Sequence, residues 1–288
     1  MKTPERIQPL IEEGLVDEVI CQLMSGKEAM VYVVRCGENV RCAKVYKEIN
    51  RRSFRHSVDY TEGRREKNSR GARAIGKVTR YGRKMRHDAW QSVEVDTLYR
   101  LSAAGVPVPQ PYNWFEGVLL MELITGEHGS VAPRLNDLTL TAEQSRDYYR
   151  LLTKQIVRML CAGVIHGDLS EYNVLAGRNG LIIIDLPQAV FAERNNNARD
   201  MLIRDIDNLA AYFGRFAPDL LAMDHGREIW ALYQSGKLHP DTDLTGYIEH
   251  NRRPPDIAGI LRAIDIVLKK EAAWQRYKCE AGRHTRSR

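Results

Sequence analysis

The sequence predicts an α+β fold in two lobes, the first mostly strand and loop, the second mostly helix. Three observations predict it. Residues 24–46 run as short apolar stretches broken by Gly-containing turns, the pattern of a small antiparallel sheet. From Thr141 onward, apolar residues recur at helical spacing. The 288 residues, 43% hydrophobic and 28% charged, are comfortable for two lobes around a sizeable core. The expected boundaries are a helical lead-in over 1–20, a first lobe over 21–124 and a second over 125–288.

Each element has a local reason. The lead-in carries apolar anchors at Leu10, Ile11, Leu15, Val16 and Val19. Residues 24–34 read as strand, turn, strand, and Gly37-Glu38-Asn39 suits a hairpin tip before a returning strand over 41–46. Residues 50–88 lack apolar periodicity and contain Gly63, Gly71, Gly76 and Gly82, so they read as a flexible insertion. Residues 89–104 regain helical spacing through Trp90, Val93, Leu98 and Leu101. Residues 106–111, rich in Pro, read as a stiff extended link, and 117–124 as an apolar strand. Thr141 with Gln144 predicts a capping box opening a helix that ends at Gly163. A loop follows, then two short strands (174–176 and 181–184) and helices over 199–215, 218–234 and 256–278. A basic tail, 283–288, is expected to fray.

Composition narrows the function classes. No apolar run approaches the ~18 residues of a membrane helix, and residues 1–10 contain no apolar signal core. The five Cys are scattered without a CxxC pair, which argues against a zinc site or disulfide framework and for a reducing cytoplasm. Net charge is +6, yet residues 51–86 alone hold 13 Lys/Arg against 3 Asp/Glu. The basic character therefore belongs to one segment. It suits RNA or simply a solvated loop.

The chemistry concentrates at 165–185. Asp168, Asn173 five residues later, and Asp185 at the end of an Ile triplet have the spacing of a phosphoryl-transfer site. An acceptor at Asp168 can orient a hydroxyl toward a phosphate. Asn173 and Asp185 supply the hard oxygens that Mg2+ prefers. Taken singly, each Asp reads equally as a cap on a local turn, and His166 reads better as a brace than as a reactant. Lys44 lies among Cys42, Ala43, Val45 and Tyr46, where a cation needs partners. A phosphate and Glu94, on the 89–104 helix, are the candidates. Ser25, Gly26 and Lys27 occupy the place of a phosphate-covering loop, although neither GxGxxG nor GxxxxGKS is present. Met121, Glu122 and Ile124 end an apolar strand where a hinge between lobes would meet an adenine.

These blocks resemble the RIO atypical protein kinases. The resemblance rests on Ser25-Gly-Lys-Glu-Ala-Met-Val-Tyr32, Ile165-His-Gly-Asp-Leu-Ser-Glu-Tyr-Asn173, Ile183-Ile-Asp-Leu-Pro-Gln188 and Arg204-Asp-Ile-Asp-Asn-Leu209, and spans about residues 20–215. It implies a trimmed bilobal kinase fold, ATP with Mg2+ (or Mn2+), and Ser autophosphorylation. It implies Asp168 as catalytic base, Asn173 and Asp185 on metal, Lys44 on phosphates and Glu94 as its partner. In some members the metal Asp is itself phosphorylated, which would make Asp185 more than a ligand. Ser53, Ser57 and Ser69 in the insertion are candidate phosphoacceptors. The short stretch before the sheet matches the branch without a winged helix and a compact prokaryotic form. Relatives act in small-subunit ribosome maturation, which makes a ribosomal subunit or RNA the expected partner.

Departures from ordinary protein kinases carry expectations of their own. Gly167 stands where many have an Arg that grips a phosphorylated loop. Leu186-Pro187 replaces Phe-Gly, and no Ala-Pro-Glu follows. Two rival readings share part of the evidence. A small-molecule phosphotransferase of the aminoglycoside or choline kinase type would share Asp168, Asn173 and Asp185 without the Gly-Lys-Glu-Ala block. An RNA- or ribosome-bound scaffold would use ATP as a conformational part.

Overall fold

The computed structural model describes residues 4–26, 29–47 and 93–247, all within one compact unit. The insertion 50–88 with Ser53, Ser57 and Ser69, together with Lys27, Trp90, the 256–278 helix and the basic tail, lies outside the described residues.

Helix α1 (Gln8–Glu12) leads into a five-stranded antiparallel sheet. Its strands are β1 (Glu18–Ser25), β2 (Ala29–Cys36), β3 (Asn39–Tyr46), β4 (Pro111–Phe115) and β5 (Val118–Glu122), in the order β1-β2-β3-β5-β4. The lead-in is shorter than expected, because Leu15 and Val16 turn back to donate to the Leu10 carbonyl. This fold-back seats Ile7, Leu10 and Val16 on one face of the sheet, against Tyr32, Val34, Ala43, Val45, Val118 and Leu120. Side chains alternate along a strand, so Lys44 and Tyr46 point to the other face, toward the second lobe. The β2–β3 hairpin closes at Gly37-Glu38 with Gly37 at φ +62°, as the Gly-Glu-Asn tip predicts.

Strand β4 begins at Pro111, the last residue of the expected extended link, and runs on through residues for which no strand was expected. Pro111 opens it at the sheet edge, where a missing N–H costs no ladder bond. Glu116 and Gly117 join β4 to β5 with φ of 45° and 79°, the positive pair of a tight hairpin turn. A Glu in that conformation is uncommon, which hid the turn. Helix α2 covers residues 93–103 and carries Glu94 beneath the sheet.

The second lobe is built on α3 (Ala142–Cys161) and α4 (Ala198–Phe213). Thr141 and Gln144 form the predicted reciprocal capping box, and Gly163 follows the helix at φ +75°. Tyr149, Leu152, Ile156 and Leu160 of α3 share one core with Leu202, Ile206, Leu209 and Phe213 of α4. Two short ladders cross this core. Strand β6 (Val164–Ile165) pairs with β9 (Val190–Phe191), and β7 (Val174–Gly177) pairs with β8 (Gly180–Ile183). The expected helix over 218–234 is interrupted. A 3-10 turn, Pro218–Ala222, precedes α5 (His225–Gln234). Met223 is extended between them, and the Asp224 N–H donates to Gly246 O instead of continuing a helix.

Candidate active site

Lys44 sits in the central strand β3, between Val31 of β2 and Leu119 of β5. Its ammonium is 2.6 Å from Glu94 Oε1 and 2.9 Å from Asp185 Oδ1. The Tyr46 hydroxyl donates to the other Glu94 oxygen, so both oxygens of that buried carboxylate are satisfied. Burial pulls the Lys44 ammonium down, but Glu94, Tyr46 and Asp185 override it and hold it well above its ordinary value. Burial and the Glu94 charge push the Tyr46 phenol well up, so it stays a donor.

Asp185 follows β8. Its φ is +66°, a strained value for a residue with a side chain. Ile183 before it and Leu186 after it are both fully buried, and these two anchors force the backbone between them into that turn. Its side chain is 50% exposed, so the carboxylate reaches solvent although Ile183 before it is buried. The turn swings it out of the strand into the cleft. Burial raises its carboxyl, but Lys44 outweighs that and lowers it below the usual range.

Asp168 and Asn173 lie on the loop between β6 and β7. The Asn173 side-chain amide donates to Asp168 O at 2.8 Å, which turns its Oδ1 away from that contact. The Ile184 N–H donates to Asn173 O at 2.9 Å, which ties this loop to the residue before Asp185. The exposed Asp168 carboxylate accepts from Gln188 Nε2 at 3.1 Å. Desolvation raises its carboxyl, against the pull of Arg204.

The loop is held from beneath. Buried Asp205 of α4 accepts from the Gly167 N–H at 2.8 Å and the Leu169 N–H at 3.0 Å, one on each oxygen. Burial pushes its carboxyl up to about 7, against these two donors and Arg204. Arg204 donates to Gly167 O. Gly167 has φ +83°, so its lack of a side chain serves the turn as well as removing the Arg of other kinases. His166 is a brace, as expected. Its Nδ1 accepts from Asp168 N–H (3.3 Å) and its Nε2 faces Ile184 O (3.0 Å), a pattern that selects the neutral tautomer protonated on Nε2. Burial holds it below its ordinary value.

The remaining sequence candidates line the rim. Gly26 N–H donates to Ala29 O across the β1–β2 turn, and Lys47 Nζ caps Gly26 O (2.6 Å) and Ser25 Oγ (3.3 Å). Met121 and Glu122 end β5. The Glu122 N–H donates to Gln110 O, and Ile124 O accepts from Ala132 N–H. Ile124 also packs on Gly177, where an added Cβ would come within 3.0 Å of its side chain. The structure thus joins Lys44, Glu94 and Asp185 directly and links Asp168 with Asn173. It keeps Ser25, Gly26, Met121, Glu122 and Ile124 as a separate margin. Tyr46, Gln188, Arg204 and Asp205 went unassigned in the sequence reading. Only Asp205 carried a signal: it falls on the apolar stripe of Met201, Leu202, Ile206 and Leu209, where a carboxylate demands a partner.

Among the described residues, no group of three His, Cys, Asp or Glu side chains could hold a metal. The hard oxygens left free on the two candidate ligands are instead Asn173 Oδ1 and the Asp185 oxygen not bonded to Lys44. Mg2+ accepts such a pair, since it keeps waters and takes substrate phosphates as ligands.

Comparisons with known proteins bear on the family and the fold. A family model described as the RIO domain matches residues 30–226. The RIO-type serine/threonine-protein kinase Rio1 of Haloferax volcanii is 36% identical over 214 residues, covering 74% of this chain and 69% of that protein. Serine/threonine-protein kinase RIO1 of Chaetomium thermophilum is 31% identical over 271 residues, covering 89% of this chain but 47% of its own length. The chain thus spans less than half of that fungal relative. A crystal structure of the Rio2 kinase from Chaetomium thermophilum in an ADP/Mg2+-phosphoaspartate complex superposes with a TM-score of 0.52 at 21% identity, covering 80% of this chain and 70% of that one. A second Rio2 structure from that organism gives 0.53, also at 21% identity, covering 74% and 61%. At that identity the likeness establishes the fold, a trimmed bilobal kinase.

Proposed function

The chain belongs to the RIO family, and from that premise we propose that it is a serine/threonine protein kinase using Mg-ATP. The observation that carries the proposal is Lys44, which bonds Glu94 and Asp185 at once, above a loop presenting Asp168 and Asn173. Lys44, aligned by Glu94 and Tyr46, holds the nucleotide phosphates. Asn173 and Asp185 hold Mg2+, which when bound offsets charge on the phosphates. Asp168, oriented by Gln188, accepts the proton of the attacking hydroxyl. The new O–P bond forms on the acceptor oxygen as the bond from the γ-phosphorus to the ADP oxygen breaks. Met121, Glu122 and Ile124 receive the adenine, and Ser25, Gly26 and Lys27 cover the phosphates.

The chain is its own first acceptor in this reading, with Ser53, Ser57 and Ser69 as candidates. The charge of 51–86 supports an RNA or ribosomal-subunit partner for that segment. No helix among the described residues is long and apolar enough to cross a membrane, which is compatible with a cytoplasmic site of action.

The test is incubation with radiolabelled Mg-ATP, followed by phosphosite mapping and a hydroxylamine wash. Label on Ser or Thr that survives the wash supports the kinase. Label removed by hydroxylamine identifies an acyl-phosphate, with Asp185 the first residue to map. Turnover that appears only with an added aminoglycoside or alcohol acceptor would replace this reading with a small-molecule phosphotransferase.

A further inference from the structure

Arg134 has no part in the machinery described above, and its position gives it one. Its backbone is fixed on the floor of the cleft. The Arg134 N–H donates to Asp137 Oδ2 at 3.3 Å, its carbonyl accepts from Asp137 N–H at 3.0 Å, and it bridges Leu175 of β7, two residues beyond Asn173. The side chain crosses to the roof, where Nη2 lies 3.2 Å from Met24 Sδ. Met24 pairs with Val31 and Val31 with Lys44, so these three share a row on the sheet. Two strand spacings put Met24 roughly 10 Å from Lys44 along that row.

A thioether is a weak acceptor for a guanidinium. Among the described residues no carboxylate forms an ion pair with Arg134, although its field reaches Asp185. Charge balance sharpens the point. Lys44 is already matched by Glu94 and Asp185, Asp168 adds a further negative charge, and Lys47 is spent on Gly26 and Ser25. Mg2+ would offset part of a polyphosphate's charge, and Arg134, held at the cleft by only a thioether among the described residues, is placed to offset more. Guanidinium pairs with phosphate oxygens strongly, often through two parallel bonds.

Resting on the nucleotide reading above, we propose that Arg134 is a nucleotide-binding residue, whose guanidinium exchanges the Met24 thioether for a phosphate oxygen of the bound nucleoside di- or triphosphate. Titrations of the full chain with Mg-ADP and with adenosine test it, using wild type, Arg134→Met and Arg134→Lys. Arg134→Met should weaken Mg-ADP about tenfold or more while adenosine stays within about twofold. Arg134→Lys should lose less, since it keeps the charge. Retained adenosine binding shows that the variants fold. Equal weakening of both ligands would overturn the proposal in favour of a packing role against Met24, and unchanged Mg-ADP affinity would overturn it outright. A wild-type chain that binds neither ligand would instead bring down the nucleotide reading itself.

Discussion

The two sides of the cleft are held by different physics. On the sheet side, Lys44, Glu94, Tyr46 and Asp185 form a network whose bonds join side chains 48 to 141 residues apart. On the helical side, the loop carrying Asp168 and Asn173 is pinned through its backbone, chiefly by the two oxygens of Asp205. A backbone-pinned loop is formed before any substrate arrives. The side-chain network shares its groups with the ligand, because Lys44 bonds one oxygen of the carboxylate whose other oxygen is proposed to hold Mg2+. One side is therefore held through its backbone, and the other through side chains that also meet the ligand.

Removing Lys44 should break the sheet side most severely. Lys44→Met leaves Glu94 buried beside Tyr46 with no cation, at a cost of about 3–5 kcal/mol. The double variant Lys44→Met/Glu94→Gln should recover part of that in thermal unfolding while transfer stays lost. An additive double variant would mean the pair is not coupled.

The helical side should answer to Asp205. In Asp205→Asn, one of the two N–H groups of Gly167 and Leu169 meets an amide donor instead of an acceptor. Unfolding free energy should drop by about 2–3 kcal/mol, and hydrogen exchange at these two amides should quicken. Unchanged exchange would show that Arg204, with Asn208 Nδ2 donating to Leu169 O at 3.3 Å, suffices to hold the loop.

A smaller effect is expected at Tyr46. Tyr46→Phe frees one Glu94 oxygen and should cost about 1–2 kcal/mol. It should raise KM for ATP more than it lowers kcat, because it loosens the residue that holds Lys44. A fall in kcat alone would place Tyr46 elsewhere in the reaction.

The smallest effect is a pH slope. His166 titrates lower in the folded chain than its ordinary value near 6.5. The unfolded chain then binds more protons between those two values, so this His contributes stability above about pH 6.5 that is lost as pH falls. The melting temperature of wild type should drop more steeply below that pH than that of His166→Gln. Parallel slopes would exclude His166 as the cause.

Much of this comparison was legible in the sequence, for uneven reasons. Strands β2 and β3 and the capped helix α3 follow from local rules, in which an apolar alternation, a Gly turn and a Thr-x-x-Gln box each act within a few residues, whereas β1 begins within the residues expected as the end of a helical lead-in. Asp168, Asn173 and Asp185 stood out by spacing, and Lys44 because a cation among Cys42, Ala43 and Val45 needs company. Strand β4 was missed because its edge Pro and its Glu116 turn depart from the usual residue choices. Gln188 and Arg204 fall in blocks that resemble the family, but their own roles carried no signal, since their partners are created only when α4 and the β8–β9 link pack against the loop.

The central claim is that the two sides do separate work, with Asp168 acting in transfer and not in nucleotide binding. Asp168→Ala tests it most directly, by Mg-ADP titration alongside phosphate incorporation from Mg-ATP. The account predicts Mg-ADP affinity within about threefold of wild type and transfer reduced by roughly 10²–10⁴. Full transfer by Asp168→Ala, or a loss of Mg-ADP affinity that accounts for the whole decline, would contradict it.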